Sequence, residues 1–118
     1  MEKKWDYFYI NKSLPVADDQ DSDDLTGIEF QTKSLEGEYI DFMVDELGQL
    51  WRRDYSYTLI EVNEPILKYR LRRHDTDWLP HNITKRIVFY GKPYEYWFTF
   101  SLMVSRGKVK ECKLISKQ

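Results

Sequence analysis

Three observations predict an all-β fold. Residues 94–104 alternate without interruption: Tyr94, Tyr96, Phe98, Phe100, Leu102 and Val104 fall on one face, and Glu95, Trp97, Thr99, Ser101 and Met103 on the other. Side chains alternate with period two along a strand, so one face of this segment is wholly apolar. The flanking segments, residues 83–90 and 109–115, join it through Gly91-Lys92-Pro93 and Ser105-Arg106-Gly107-Lys108. Connections that short make consecutive strands pair antiparallel, with Gly107 in the left-handed region of a tight hairpin. Aromatic residues form 16% of the chain, which favours pleated structure over helix. The expectation is an antiparallel sandwich or strongly curved barrel of about seven or eight strands, packed on a C-terminal three-strand meander. A length of 118 residues sets one β-rich domain over residues 1–118.

The elements follow in order. Residues 4–10 place Trp5, Tyr7 and Tyr9 on one face and Phe8 and Ile10 on the other. Apolar rings on both faces predict a strand inside the sheet. Pro15 and the run Asp18, Asp19, Asp21, Asp23 and Asp24 then exclude regular structure, because like charges repel and little is apolar. Asp19, Asp21 and Asp23 match the opening of a calcium loop, yet Asp24 stands where Gly is needed and Phe30 where Glu is needed. A solvated loop is expected there. Residues 27–33 form a second strand with Ile28, Phe30 and Thr32 inward. Residues 38–44 form a third with Ile40, Phe42 and Val44 on one face. Asp45-Glu46-Leu47-Gly48 has the residues of a type I-like turn. Residues 50–62 supply one or two strands. Residues 63–73 read as a strand with Leu67, Tyr69 and Leu71 toward the core and Lys68, Arg70 and Arg72 toward water; a short helix opened by Pro65 is the alternative. A loop holding Trp78 is expected over residues 74–82.

The net charge of −2 conceals two unequal halves. Residues 1–64 carry six Lys and Arg against sixteen Asp and Glu; residues 65–118 carry twelve against four. Either the halves pair internally or the molecule shows two faces of opposite sign. A lone cysteine, Cys112, excludes an internal disulfide and reads as a small core residue on a strand. The opening residues lack the apolar run of a signal peptide, and no segment is long and apolar enough to span a bilayer. A cytoplasmic protein is therefore expected. His74, Asp75, Asp77 and His81 gather ligand-type side chains, but on a segment without a rigid frame, so no metal is expected. The five glycines are scattered at turns and none builds a phosphate cradle. Neither catalytic residues nor a cofactor is expected.

The landmarks Glu29-Phe30-Gln31-Thr32-Lys33-Ser34-Leu35, Gly48-x-Leu50-Trp51, Ile87-Val88-Phe89-Tyr90 and Gly107-Lys108-Val109 resemble those of a group of small uncharacterised bacterial proteins. The likeness spans residues 28–115 in outline. That group has a Gly shortly before the I-x-F-Y strand, where this chain has Thr84-Lys85-Arg86. No activity comes with the resemblance. By analogy, short proteins of this kind resemble immunity proteins of toxin systems or phage-encoded inhibitors.

The expected function is non-enzymatic: binding, and thereby inhibiting or neutralising, a protein partner of basic character through Asp18, Asp19, Asp21, Asp23 and Asp24. The alternative is a single-stranded nucleic-acid module using Lys68, Arg70, Arg72 and Arg73. A third possibility is a small-ligand binder or enzyme in the mouth of a barrel, which needs a deep pocket with convergent polar groups.

Overall fold

A computed structural model describes residues 4–11, 27–66, 68–92 and 97–118. The described residues are all β, without a helix. They form eight strands: β1 (Asp6–Ile10), β2 (Phe30–Thr32), β3 (Asp41–Val44), β4 (Leu50–Glu61), β5 (Tyr69–Pro80), β6 (Lys85–Gly91), β7 (Phe98–Ser105) and β8 (Lys108–Lys117). All belong to one open, curved sheet in the order β5-β4-β3-β1-β2-β6-β7-β8. The expected C-terminal meander is present as β6-β7-β8. The long strand of residues 94–104 begins instead at Phe98; residues 93–96 lie outside the described residues and Trp97 precedes the strand. Phe100, Leu102 and Val104 face the core as the alternation requires.

As expected, β1 sits inside the sheet, but one of its pairings differs from a wholly antiparallel plan. It pairs antiparallel with β2 and parallel with β3. The chain from β2 must therefore cross β1 to reach β3. Asp6 holds that crossing. Its buried carboxylate accepts the N–H groups of Gly37 (2.6 Å), Glu38 (2.9 Å) and Ile40 (3.0 Å). Charge-assisted bonds of this kind offset the cost of burying the carboxylate. Leu35 and Ile40 from the crossing segment enter the core.

The core lies on one face of the sheet. Phe8 stacks on Phe89 (4.8 Å) and Phe89 on Phe100 (5.2 Å), with Phe30 edge-on to both. Around this column lie Ile10, Phe42, Val44, Leu50, Ile87, Leu102, Val104 and Cys112. The sheet curves so that its two hairpin ends meet. The β7–β8 turn, with Arg106 and Gly107 both at positive φ, leans on the β3–β4 turn. Leu50 N–H donates to the Gly107 carbonyl (2.7 Å), and Val109 N–H to that of Gly48 (2.9 Å).

Residues 63–82 depart most from the sequence reading. The expected loop over residues 74–82 is strand almost throughout, because β5 runs on through Pro80 beside the start of β4. Arg53 stands over the Trp78 ring at 5.3 Å and a register shift between Arg53 and Tyr55 accommodates the extra length. The expected core-facing row is also corrected. Tyr69 and Leu71 are exposed, since no second layer covers that stretch among the described residues, and Leu67 lies outside them.

Candidate interaction surface

Two strands of twelve residues each, β4 and β5, are three times as long as the four-residue β3 beside them. At about 3.4 Å per residue, each spans roughly 40 Å. Their far halves, residues 56–61 and 69–72, therefore leave the body as a two-stranded ribbon. Thr58, Leu59 and Ile60 keep the pleat through β-branched or bulky side chains, and Val62 N–H closes on the Lys68 carbonyl at 2.8 Å.

The register assigns the faces. Tyr57 opposes Arg73, Leu59 opposes Leu71, and Glu61 opposes Tyr69. Opposed residues share a face, so Tyr57, Leu59, Leu71 and Tyr69 form an apolar patch. They remain 56%, 64%, 65% and 56% exposed, respectively. The reverse face carries the pairs Ser56–His74, Thr58–Arg72 and Ile60–Arg70. Thr58 Oγ1 and His74 Nε2 lie 2.5 Å apart, and Arg70 pairs with Glu64 at 2.6 Å. Arg72 makes no hydrogen bond or ion pair among the described residues.

Arg73 anchors the ribbon's base. It donates to the carbonyls of Glu38 and Tyr39, both at 2.8 Å, and stands over the Tyr55 ring at 5.2 Å. Arg52 grips Glu36 and lies over the same ring from 5.6 Å. Beside this base, burial and then Asp75 push the Asp41 carboxyl above its usual range. Burial, with Asp41 and Glu29, pushes Tyr9 up to about 12.

The sequence-derived candidates separate accordingly. Asp18, Asp19, Asp21, Asp23 and Asp24 lie outside the described residues. Lys68, Arg70 and Arg72 lie on or beside the ribbon, but Arg73 points to the other face and is used internally, so the basic run is divided. His74, Asp75, Asp77 and His81 do not converge, and no metal-holding group occurs among the described residues. His74 binds Thr58, whereas His81 packs on Phe42 at 5.7 Å. Cys112 is buried, and burial followed by Glu111 pushes its thiol up to about 11.

Depressions occur among the described residues of the body. One of about 340 Å³ is lined by Asn11, Asp45, Glu46 and Leu47; another of about 310 Å³ is lined by Leu35, Glu36, His81, Ile83, Thr84 and Lys85. Asp41, the carboxyl held high, lines neither. Sequence reading missed Tyr57 and Leu59 as exposed residues. The available signal was two strand-like runs on either side of Asn63-Glu64-Pro65, each longer than the small core requires.

No family model, no curated protein and no solved structure matches this chain. The functional reading therefore rests on geometry.

Proposed function

We propose that this chain is a non-enzymatic binding protein that grips another protein through the apolar face of the β4–β5 ribbon, and so inhibits or neutralises it. The observation that carries this reading is the exposure of Tyr57, Leu59, Tyr69 and Leu71 side by side on an element that leaves the body. An exposed hairpin gains little from packing on itself, and a contiguous apolar patch on one marks an interaction site. Tyrosine is also enriched among residues that dominate interfaces. The cations of the ribbon, Arg70 and Arg72, lie on the face opposite this patch, so a partner that reaches around the ribbon's edge meets them with acidic groups. Asp18, Asp19, Asp21, Asp23 and Asp24 retain their proposed role as a second, acidic contact that meets basic groups of the partner.

The test compares the wild type with the Leu59→Asp, Leu71→Asp double variant. Affinity capture from the host identifies a partner, and calorimetry with that purified protein measures the affinity. Loss of affinity by about tenfold or more, with the thermal midpoint unchanged, is expected. Equal affinity for both proteins overturns the reading.

The reverse face favours a second reading, nucleic-acid binding, because Arg70 and Arg72 line it with Thr58, Ser56 and His74. Single-stranded oligonucleotides would then bind with an affinity that falls steeply with salt, and Arg72→Ala would flatten that slope. No binding at low salt ends this reading.

A further inference from the structure

We propose that the outer edge of β5 accepts an extended segment of the partner as an added strand, and that this segment alternates acidic and apolar residues. The proposal rests on the ribbon being the docking element and names the chemistry of what docks.

β5 is the last strand of the sheet among the described residues: β4 lies on one side and no described strand on the other. A terminal strand offers a row of backbone N–H and C=O groups that template further pairing. Its side chains then specify the guest. Along the exposed stretch, Tyr69 and Leu71 point to the apolar face, while Arg70 and Arg72 point to the other. A guest strand places its own side chains beside these, alternating with the same period. Apolar residues extend the patch of Tyr57, Leu59, Tyr69 and Leu71. Carboxylates meet Arg72, which has no partner among the described residues, and Arg70, whose exposed pair with Glu64 is of a kind that is weak and readily exchanged.

A second copy of the chain fits poorly. Antiparallel pairing of two exposed β5 stretches about a two-fold axis sets arginine opposite arginine in each available register, Arg70 against Arg72 or either against itself. Like charges directly opposite are destabilising. Toward the body the edge changes sign at Asp75 and Asp77, and the ladder is irregular there. An acidic guest is therefore confined to the stretch beside residues 68–74.

The test uses the full chain and synthetic peptides, followed by fluorescence anisotropy at low salt. One peptide alternates Leu and Glu, a second alternates Leu and Lys, and a third is the Leu–Glu peptide with alternate backbone amides N-methylated. The Leu–Glu peptide is expected to bind, and the other two at least about tenfold more weakly. Arg70→Glu with Arg72→Glu should invert the preference toward the Leu–Lys peptide. Equal binding of the two charge types, no binding of either, or full binding of the N-methylated peptide overturns the proposal. Loss of the natural partner in the Leu59→Asp, Leu71→Asp double variant, combined with full binding of the N-methylated peptide, leaves the ribbon as docking element and rejects strand addition alone.

Discussion

Single polar side chains hold the places where this chain turns or crosses itself. Asp6 is wholly buried and accepts three backbone N–H groups that no strand satisfies. Asp6→Ala should cost about 3 kcal/mol or more in urea denaturation, since three donors lose their acceptor. Asp45 does similar work in its turn, accepting from Leu47 and Gln49 N–H and from Trp51 Nε1. Burial raises its pKa, but these donors outweigh burial and hold it below the usual range. His81 carries a pH dependence on the acid side of neutrality. Burial lowers its pKa; Glu36 opposes that shift and Arg52 adds to it. The unfolded chain therefore takes up this proton first, near pH 6.5, so the contribution of His81 is complete above about that pH and is lost as pH falls through the lower folded value. Urea midpoints measured from about pH 7 down to about pH 5 should fall less for His81→Phe than for the wild type. Asp45, and Glu36 held low by its bond to Arg52, act only at more acidic pH.

At the scale of elements, turns and ribbon have different sensitivities. Gly107 and Gly48 both adopt positive φ, 79° and 83°. A Cβ on Gly107 would meet Gln49 Nε2 at 2.7 Å and the His81 carbonyl at 2.8 Å, whereas on Gly48 the nearest atom is 3.7 Å away. Gly107→Ala should thus destabilise by about 2 kcal/mol or more, against about 1 kcal/mol for Gly48→Ala. The same pair of variants checks the closing of the sheet's hairpin ends, because both face a neighbouring segment but only a Cβ on Gly107 would clash with it. In the ribbon, amides of residues 56–61 and 69–72 should exchange with deuterium faster than those of β6 and β7. The exposed apolar side chains there give local opening little to overcome.

The whole molecule measures 58 × 31 × 27 Å, about twice as long as it is wide. An open sheet with a projecting ribbon accounts for that shape. Charge is also arranged at this scale. Arg70–Glu64 joins the acidic and basic halves of the chain, but Arg52–Glu36, Arg86–Glu111 and Lys113–Glu111 each stay within one half. The cations of the second half are therefore only partly neutralised by the first; on β5, Arg73 is held at the ribbon's base, while Arg72 makes no hydrogen bond or ion pair among the described residues. At high salt, binding by the ribbon should weaken in on-rate more than in off-rate, as stopped-flow mixing with the captured partner would show.

Local pattern was enough for the strands that touch the core. Alternation in residues 94–104, 27–33 and 38–44 named Phe100, Phe30 and Phe42 as inward residues, and Gly107 and Gly48 marked the turns. Those signals are legible because the pleat and positive φ are properties of a few neighbouring residues. The parallel β1–β3 pair was not legible, because crossing one strand to reach another is set by distant partners and by Asp6. Nor was the fate of Tyr69 and Leu71. An apolar, alternating strand reads the same whether a second layer covers it or water does. Only the finished packing decides that, and here no other described residue covers the ribbon's apolar face.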